Sequence, residues 1–192
     1  MPVLYARIPE DRIGVLIGPK GRTKQEIASR TRAQLAVDAD DGEVEVRSED
    51  TDPDAAMRAR DIVLAIGRGF SPVRAFRLTR EGTMLAVLDI KFETGKREKA
   101  ALRRIRARVI GTRGRARERI EELSGCAVSV YGSTVALIGD ADQLERARRA
   151  VELLVRGSEH STVFHMLARL RFGSALAEAT EPDDGSAPDD RS

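Results

Sequence analysis

One cysteine (Cys126), two histidines (His160 and His165), no tryptophan and few other aromatics exclude several chemistries at the outset. A lone thiol builds neither a disulfide framework nor a multi-cysteine zinc knuckle. The histidines are five apart, so on a helix they diverge, and only Glu159 neighbours them as a further metal ligand. No apolar run reaches the length of a membrane span, and Met-Pro-Val-Leu-Tyr-Ala-Arg lacks the apolar core of a signal peptide. These absences predict a soluble, cytoplasmic protein with no membrane contact. Lysine is also scarce, five against 28 arginines. What remains is 41% hydrophobic and 33% charged, the composition of one or two small globular domains.

The formal net charge is only +2, but it is unevenly placed. Residues 96–119 carry eleven basic side chains and two acidic ones, Glu98 and Glu118. Residues 38–54 carry nine acidic side chains and one basic, Arg47. Six more acids lie between Glu178 and Asp190. Local ion pairing on solvated helices is the ordinary fate of charge runs. Eleven against two cannot be neutralised that way, so a polyanionic partner is expected.

The chain also repeats itself. Val15-Leu16-Ile17-Gly18-Pro19-Lys20-Gly21-Arg22 matches Arg108-Val109-Ile110-Gly111-Thr112-Arg113-Gly114-Arg115, 93 residues later. Ile27 falls on Ile120, Leu35 and Val37 on Val128 and Val130, and Val44 and Val46 on Val135 and Leu137. Each copy reads strand, helix, helix, strand, strand, helix. In the first copy these are Val3 to Ile8, Glu10 to Ile17, Arg22 to Arg30, Gln34 to Asp38, Glu43 to Arg47, and a helix capped by Thr51-Asp52-Pro53 and ending near Arg68. The second copy gives strands at Leu85–Phe92, Ala127–Tyr131 and Val135–Ile138, with helices at Glu98–Ile110, Arg115–Leu123 and Ala141–Val155. We expect an α+β fold with two domains, at 1–70 and 85–157. A linker at 71–84, a helical extension at 158–176 and a disordered acidic tail at 177–192 complete the expected organisation.

Each Gly-x-x-Gly joins two helices and carries a basic residue at its tip, Lys20 or Arg113. Glycine removes the Cβ atoms that would hold another backbone away, and the following helix N-terminus turns unpaired N–H groups and its positive dipole end outward. A phosphate suits that position. An isolated Gly-x-x-Gly is more often a packing corner between helices. Duplication, basic tips and the adjoining cationic stretch favour a ligand. A nucleotide-binding P-loop fails on spacing, since neither copy reads Gly-x-x-x-x-Gly-Lys-Ser/Thr or follows a strand directly.

With Ile-Gly-x-x-Gly between two helices, each copy resembles a KH domain of the eukaryotic and archaeal topology, a three-stranded antiparallel sheet covered by three helices on one face. That resemblance implies a loop clamping the backbone of about four nucleotides of a single strand. It also implies a base groove walled by Ile13, Ile17, Ile27 and Val37 in the first domain, and by Val109, Ile110, Val128 and Val130 in the second. Such a groove is aliphatic, which suits a chain with 4% aromatics better than a stacking platform does. Lys24 and Arg117 depart from the family, which often has an apolar residue there. Residues 108–115, Ile120-Glu121-Glu122-Leu123, 128–140 and Gly157-Ser158-Glu159-His160-Ser161-Thr162-Val163 together resemble the partner-of-Nob family of small-subunit ribosome assembly proteins. Eukaryotic relatives have lost the first loop; both are intact here, which implies an archaeal member. The resemblance further implies binding near the 3′ end of small-subunit rRNA, contact with the endonuclease that trims that end, and contact with the alpha subunit of translation initiation factor two.

The expected RNA-backbone loops are therefore Gly18, Pro19, Lys20, Gly21 and Gly111, Thr112, Arg113, Gly114. Arg22, Lys24, Arg104, Arg108, Arg115, Arg117 and Arg119 form the expected basic flanks. No catalytic residue, metal or cofactor is expected: Cys126 reads as a small buried hydrophobe, and Asp38, Asp40, Asp41 and Glu43 miss calcium-loop spacing. We expect a monomeric, non-enzymatic RNA-binding protein whose second domain dominates. The rival reading is a protein-interaction scaffold whose acidic segments dock a basic partner.

Overall fold

The computed structural model describes residues 3–48 and 52–178. Thr51 and most of the acidic tail, from residue 179, lie outside them. Alternating apolar residues set the first sheet: β1 (Val3–Arg7), β2 (Gln34–Val37) and β3 (Glu43–Arg47) pair antiparallel in the order β1-β3-β2. Helices α1 (Glu10–Ile17), α2 (Arg22–Thr31) and α3 (Pro53–Gly67) pack on it. The Asp52 carboxylate accepts from Ala55 N–H, the expected cap of α3. Asp38 and Asp41 accept backbone N–H groups of Asp40 and Glu43, so acids of this hairpin fold their own turn.

The second sheet repeats the topology with β4 (Met84–Asp89), β5 (Ala127–Tyr131) and β6 (Thr134–Gly139) in the order β4-β6-β5. The first strand is shorter than expected. Asp89 caps Lys91 N–H, Ile90 N–H donates to the Ser133 carbonyl, and residues Ile90–Thr94 become a short helix, α5. Helices α6 (Lys99–Ile110), α7 (Arg115–Ser124) and α8 (Ala141–Arg156) cover the sheet, and α9 (His160–Glu178) lies against α7 and α8. Asp140 and Gln143 close a capping box on α8.

Residues expected as a linker are instead packed structure. Ser71 caps a short helix, α4 (Pro72–Ala75), which continues into a 3-10 turn at Phe76–Thr79. Phe70, Ala75, Phe76 and Leu78 are buried, and they share one apolar cluster with Ala127, Ala136 and Ile138 of the second sheet. Val128, Val135 and Leu137, on the opposite face, pack on that domain's own helices. The second sheet is thus covered on both faces. Polar contacts reinforce the junction. Arg12 donates to the carbonyls of Ile66 (2.9 Å) and Phe70 (2.8 Å), Ser129 to that of Arg68 (2.9 Å), and the Tyr131 hydroxyl to Asp11. Arg74 pairs with Glu121 across the same seam.

Candidate nucleic-acid interface

The two loops match dihedral for dihedral. α1 ends at Gly18 (φ 71°, ψ 174°), Lys20 is left-handed (φ 53°, ψ 31°), and Gly21 follows at φ 74° and ψ 11°. α6 ends at Gly111 (φ 73°, ψ 175°), Arg113 is left-handed (φ 56°, ψ 27°), and Gly114 follows at φ 81° and ψ 1°. A basic side chain held in a region non-glycine residues rarely occupy marks both tips.

The two glycines of each loop do different work. A Cβ on Gly18 would lie 2.2 Å from Thr23 Oγ1, and one on Gly111 would lie 2.5 Å from the Ala116 Cβ. The first glycine therefore closes the helix corner. Around Gly21 nothing lies within 4 Å of the added atom, and at Gly114 only Glu118 Oε1 does, at 3.7 Å. The second glycine keeps open space for an approaching backbone. Gly111→Ala should accordingly destabilise by about 2 kcal/mol or more, and Gly114→Ala by about 1 kcal/mol. Thermal denaturation of the two variants checks this, and equal losses would overturn the division of roles.

The structure sorts the expected groove residues by depth. Ile17, Val37, Ile110 and Val130 are half-buried at the surface, whereas Ile13, Ile27, Val109 and Val128 lie wholly in the core behind them. The two-residue turn Gly132-Ser133 makes Tyr131 and Thr134 a bonded pair, so Val128 and Val130 turn their backbone groups to the open edge of β5. Glu121 accepts the Val128 N–H at 2.7 Å.

The basic flanks separate likewise. Pro19, Lys20, Arg22, Thr112, Arg113 and Arg115 are exposed around the tips, and Lys24 and Arg117 are half-buried. Arg119 is exposed but pairs with Glu122 at 2.7 Å, and Arg117 is 3.8 Å from Glu118. Arg104 and Arg108 lie on the far side of α6 from Ile110. Arg108 donates to the Leu154 carbonyl, and its own carbonyl accepts from His160 Nε2 at 2.8 Å. His160 is thus a structural tie on α6.

Sequence reading missed a cleft of about 570 Å³ lined by Lys91, Lys99, Leu102, Arg103, Arg106 and the Gly132-Ser133 turn. The equivalent corner of the first domain, where the start of α1 meets the hairpin turn, carries three carboxylates and one cation, Glu10, Asp11, Asp41 and Arg7. Among the described residues no group of three or more His, Cys, Asp or Glu could hold a metal ion, and no helix is long and apolar enough to cross a membrane. Burial pushes the Cys126 thiol up to about 12, leaving it protonated near neutral pH.

Comparison with known proteins meets this geometry. A family profile described as a KH domain matches residues 4–65, and one described as a eukaryotic type KH domain (type I) matches 84–172. A KH domain-containing protein of Methanocaldococcus jannaschii is 44% identical over 167 residues, covering 86% of this chain and 72% of that protein. Dim2p from Pyrococcus horikoshii is 50% identical with a TM-score of 0.83, covering 88% of this chain and 99% of its own. The chain belongs to the partner-of-Nob (Dim2) family of tandem KH proteins. Another structure of this Dim2 type is the a/eIF2alpha-aDim2p-rRNA complex from Pyrococcus horikoshii, 49% identical with a TM-score of 0.84 over 90% of this chain and 95% of that one. A protein of unknown function from Aeropyrum pernix shares 37% identity and a TM-score of 0.88, covering 93% of this chain and 95% of its own. These Dim2-type relatives are archaeal, and the domains of this chain are RNA-binding KH modules.

Proposed function

We propose that this protein binds single-stranded RNA near the 3′ end of small-subunit rRNA during ribosome assembly, without chemistry of its own. The observation carrying this reading is the pair of matched loops, each with a left-handed cationic tip and open space over its second glycine. The relative whose structure is described as a complex with rRNA and a/eIF2alpha supports the choice of RNA, and of that initiation factor subunit as a partner. The endonuclease that trims the same rRNA end is a further proposed partner.

The second domain takes the larger share of RNA. Thr112 supplies a backbone N–H that Pro19 lacks in the first loop. Cations face its hairpin turn, where the first domain presents the carboxylates of Glu10, Asp11 and Asp41, which repel phosphate. That acidic hairpin suits the first domain to a basic protein partner. An oligonucleotide ending at the rRNA 3′ terminus, titrated at several salt concentrations, tests the reading. Contact with three or four phosphates predicts a log–log slope of about −2 to −3. No binding, or affinity indifferent to salt, would refute it.

A further inference from the structure

We propose that the cleft between α2 and the α4 segment of the first domain is a docking site for an acidic amphipathic helix of a partner protein. The internal repeat shows what covers the matching face of the second domain. α3 and α8 end alike, with Gly69 and Gly157 at positive φ. The next N–H then reaches back five residues, from Phe70 to the Ala65 carbonyl (3.1 Å) and from Ser158 to the Leu153 carbonyl (2.9 Å). Two residues later a helix starts, at Pro72 in one copy and at His160 in the other. In the second copy that helix is α9, which packs along α7, with Arg171 donating to the Glu122 carbonyl (3.0 Å). Val163 and Leu167 are fully buried in this seam, in one cluster with Leu123 of α7.

The first copy stops short. Arg80 is extended (φ −81°, ψ 139°) and leads toward β4. Ala75 and Thr79 stand where the second copy has Val163 and Leu167, and Arg30 stands where it has Leu123. Two shorter side chains and a cation leave this seam open as a cleft of about 460 Å³. Its lining is apolar below and cationic at the rim. Phe76 is nearly buried, whereas Val73 is 80% exposed. Arg30 lies 4.7 Å over the Phe76 ring and pairs with Glu26 (2.7 Å), the one carboxylate lining the cleft among the described residues. Arg77 and Arg80 line it with no acid of the cleft left to meet them. A ligand must therefore bring apolar side chains to Val73 and Phe76, and carboxylates to Arg77 and Arg80. An amphipathic helix supplies both, and a helix is what the repeat places on the matching face of α7. A phosphate chain would satisfy the arginines but leave Val73 in water.

The test measures binding of two labelled synthetic helices of Glu, Ala and Leu to the full-length protein by fluorescence anisotropy. Their composition is the same, but the leucines form a single stripe in one and are scattered around the helix in the other. The striped peptide should bind more tightly by about tenfold, the effect of one good apolar anchor. Val73→Asp/Arg80→Glu alters two exposed side chains and should remove that preference, while affinity for a single-stranded RNA oligonucleotide stays at the wild-type value. Thr112→Asp/Arg113→Asp should do the reverse, lowering RNA affinity and keeping the preference for the striped peptide. Equal affinity for the two peptides would mean attraction by charge alone, and that result, or no binding of either, would overturn the site. Loss of peptide binding in the second-loop variant would put the peptide on the RNA face and overturn it as well. A fall in RNA affinity in Val73→Asp/Arg80→Glu would make the cleft an RNA surface instead.

Discussion

Thr112→Asp combined with Arg113→Asp lowers affinity for single-stranded RNA by more than about tenfold while the protein stays folded. A charge-assisted contact contributes roughly 1.5–3 kcal/mol, so losing even one is a tenfold effect or more, and two new carboxylates add repulsion. The fold survives because both side chains are exposed and contact nothing in the core. Aspartate also tolerates the left-handed conformation that position 113 imposes. The matched change at Pro19 and Lys20 should cost less, since that loop has one donor fewer and Glu10, Asp11 and Asp41 lie at the far end of its helix. Anisotropy titrations on both variants rank the domains. A larger loss in the first would reverse the assignment, and full affinity in the second would remove its loop from the site.

Phe70→Ala should cost about 3–5 kcal/mol, the usual penalty for truncating a buried phenylalanine. Phe70 is 1% exposed, Arg74 lies 5.3 Å over its ring, and its carbonyl holds Arg12. Its apolar neighbours come from both domains. Denaturant unfolding of the wild type should therefore show one transition shared by the whole molecule, shifted intact in the variant. Two separate transitions, or a loss below about 1 kcal/mol, would show that the seam is weaker than its packing implies.

Most of the fold is legible in the sequence because its signals are local. Alternation at Val44 and Val46, the Asp52 cap and the repeated Ile-Gly-x-x-Gly each fix their element without help from distant residues. The segment after Phe70 is different. Its apolar residues follow no helical or strand period, and they fill a seam that exists only once α2 and α3 of the first domain meet the second sheet. A signal was present in Val135-Ala136-Leu137-Ile138, a continuous apolar run of the kind found in strands buried on both faces. The site divides similarly. Loop residues were identifiable by type and spacing, but depth was not: Ile110 reaches the surface while its neighbour Val109 is in the core. A linear charge sum likewise could not separate Arg104 and Arg108 from Lys99, Arg103 and Arg106. One turn of helix sends them to opposite sides.

The two-sided cover of the second sheet has a consequence for the spacing of the two loops. Beads on a flexible string can bind two stretches of a nucleic acid at any spacing. Here the seam through Phe70, Phe76, Ala136 and Ile138 turns the pair into a fixed caliper, with the distance between loop tips set by protein packing. A strand that engages both loops must bring the right number of nucleotides between them. The same seam prevents the second copy from being detached and reused elsewhere, because Ala127, Ala136 and Ile138 would then face water. Duplication supplied two loops of one geometry, and the buried seam fixes the distance between them.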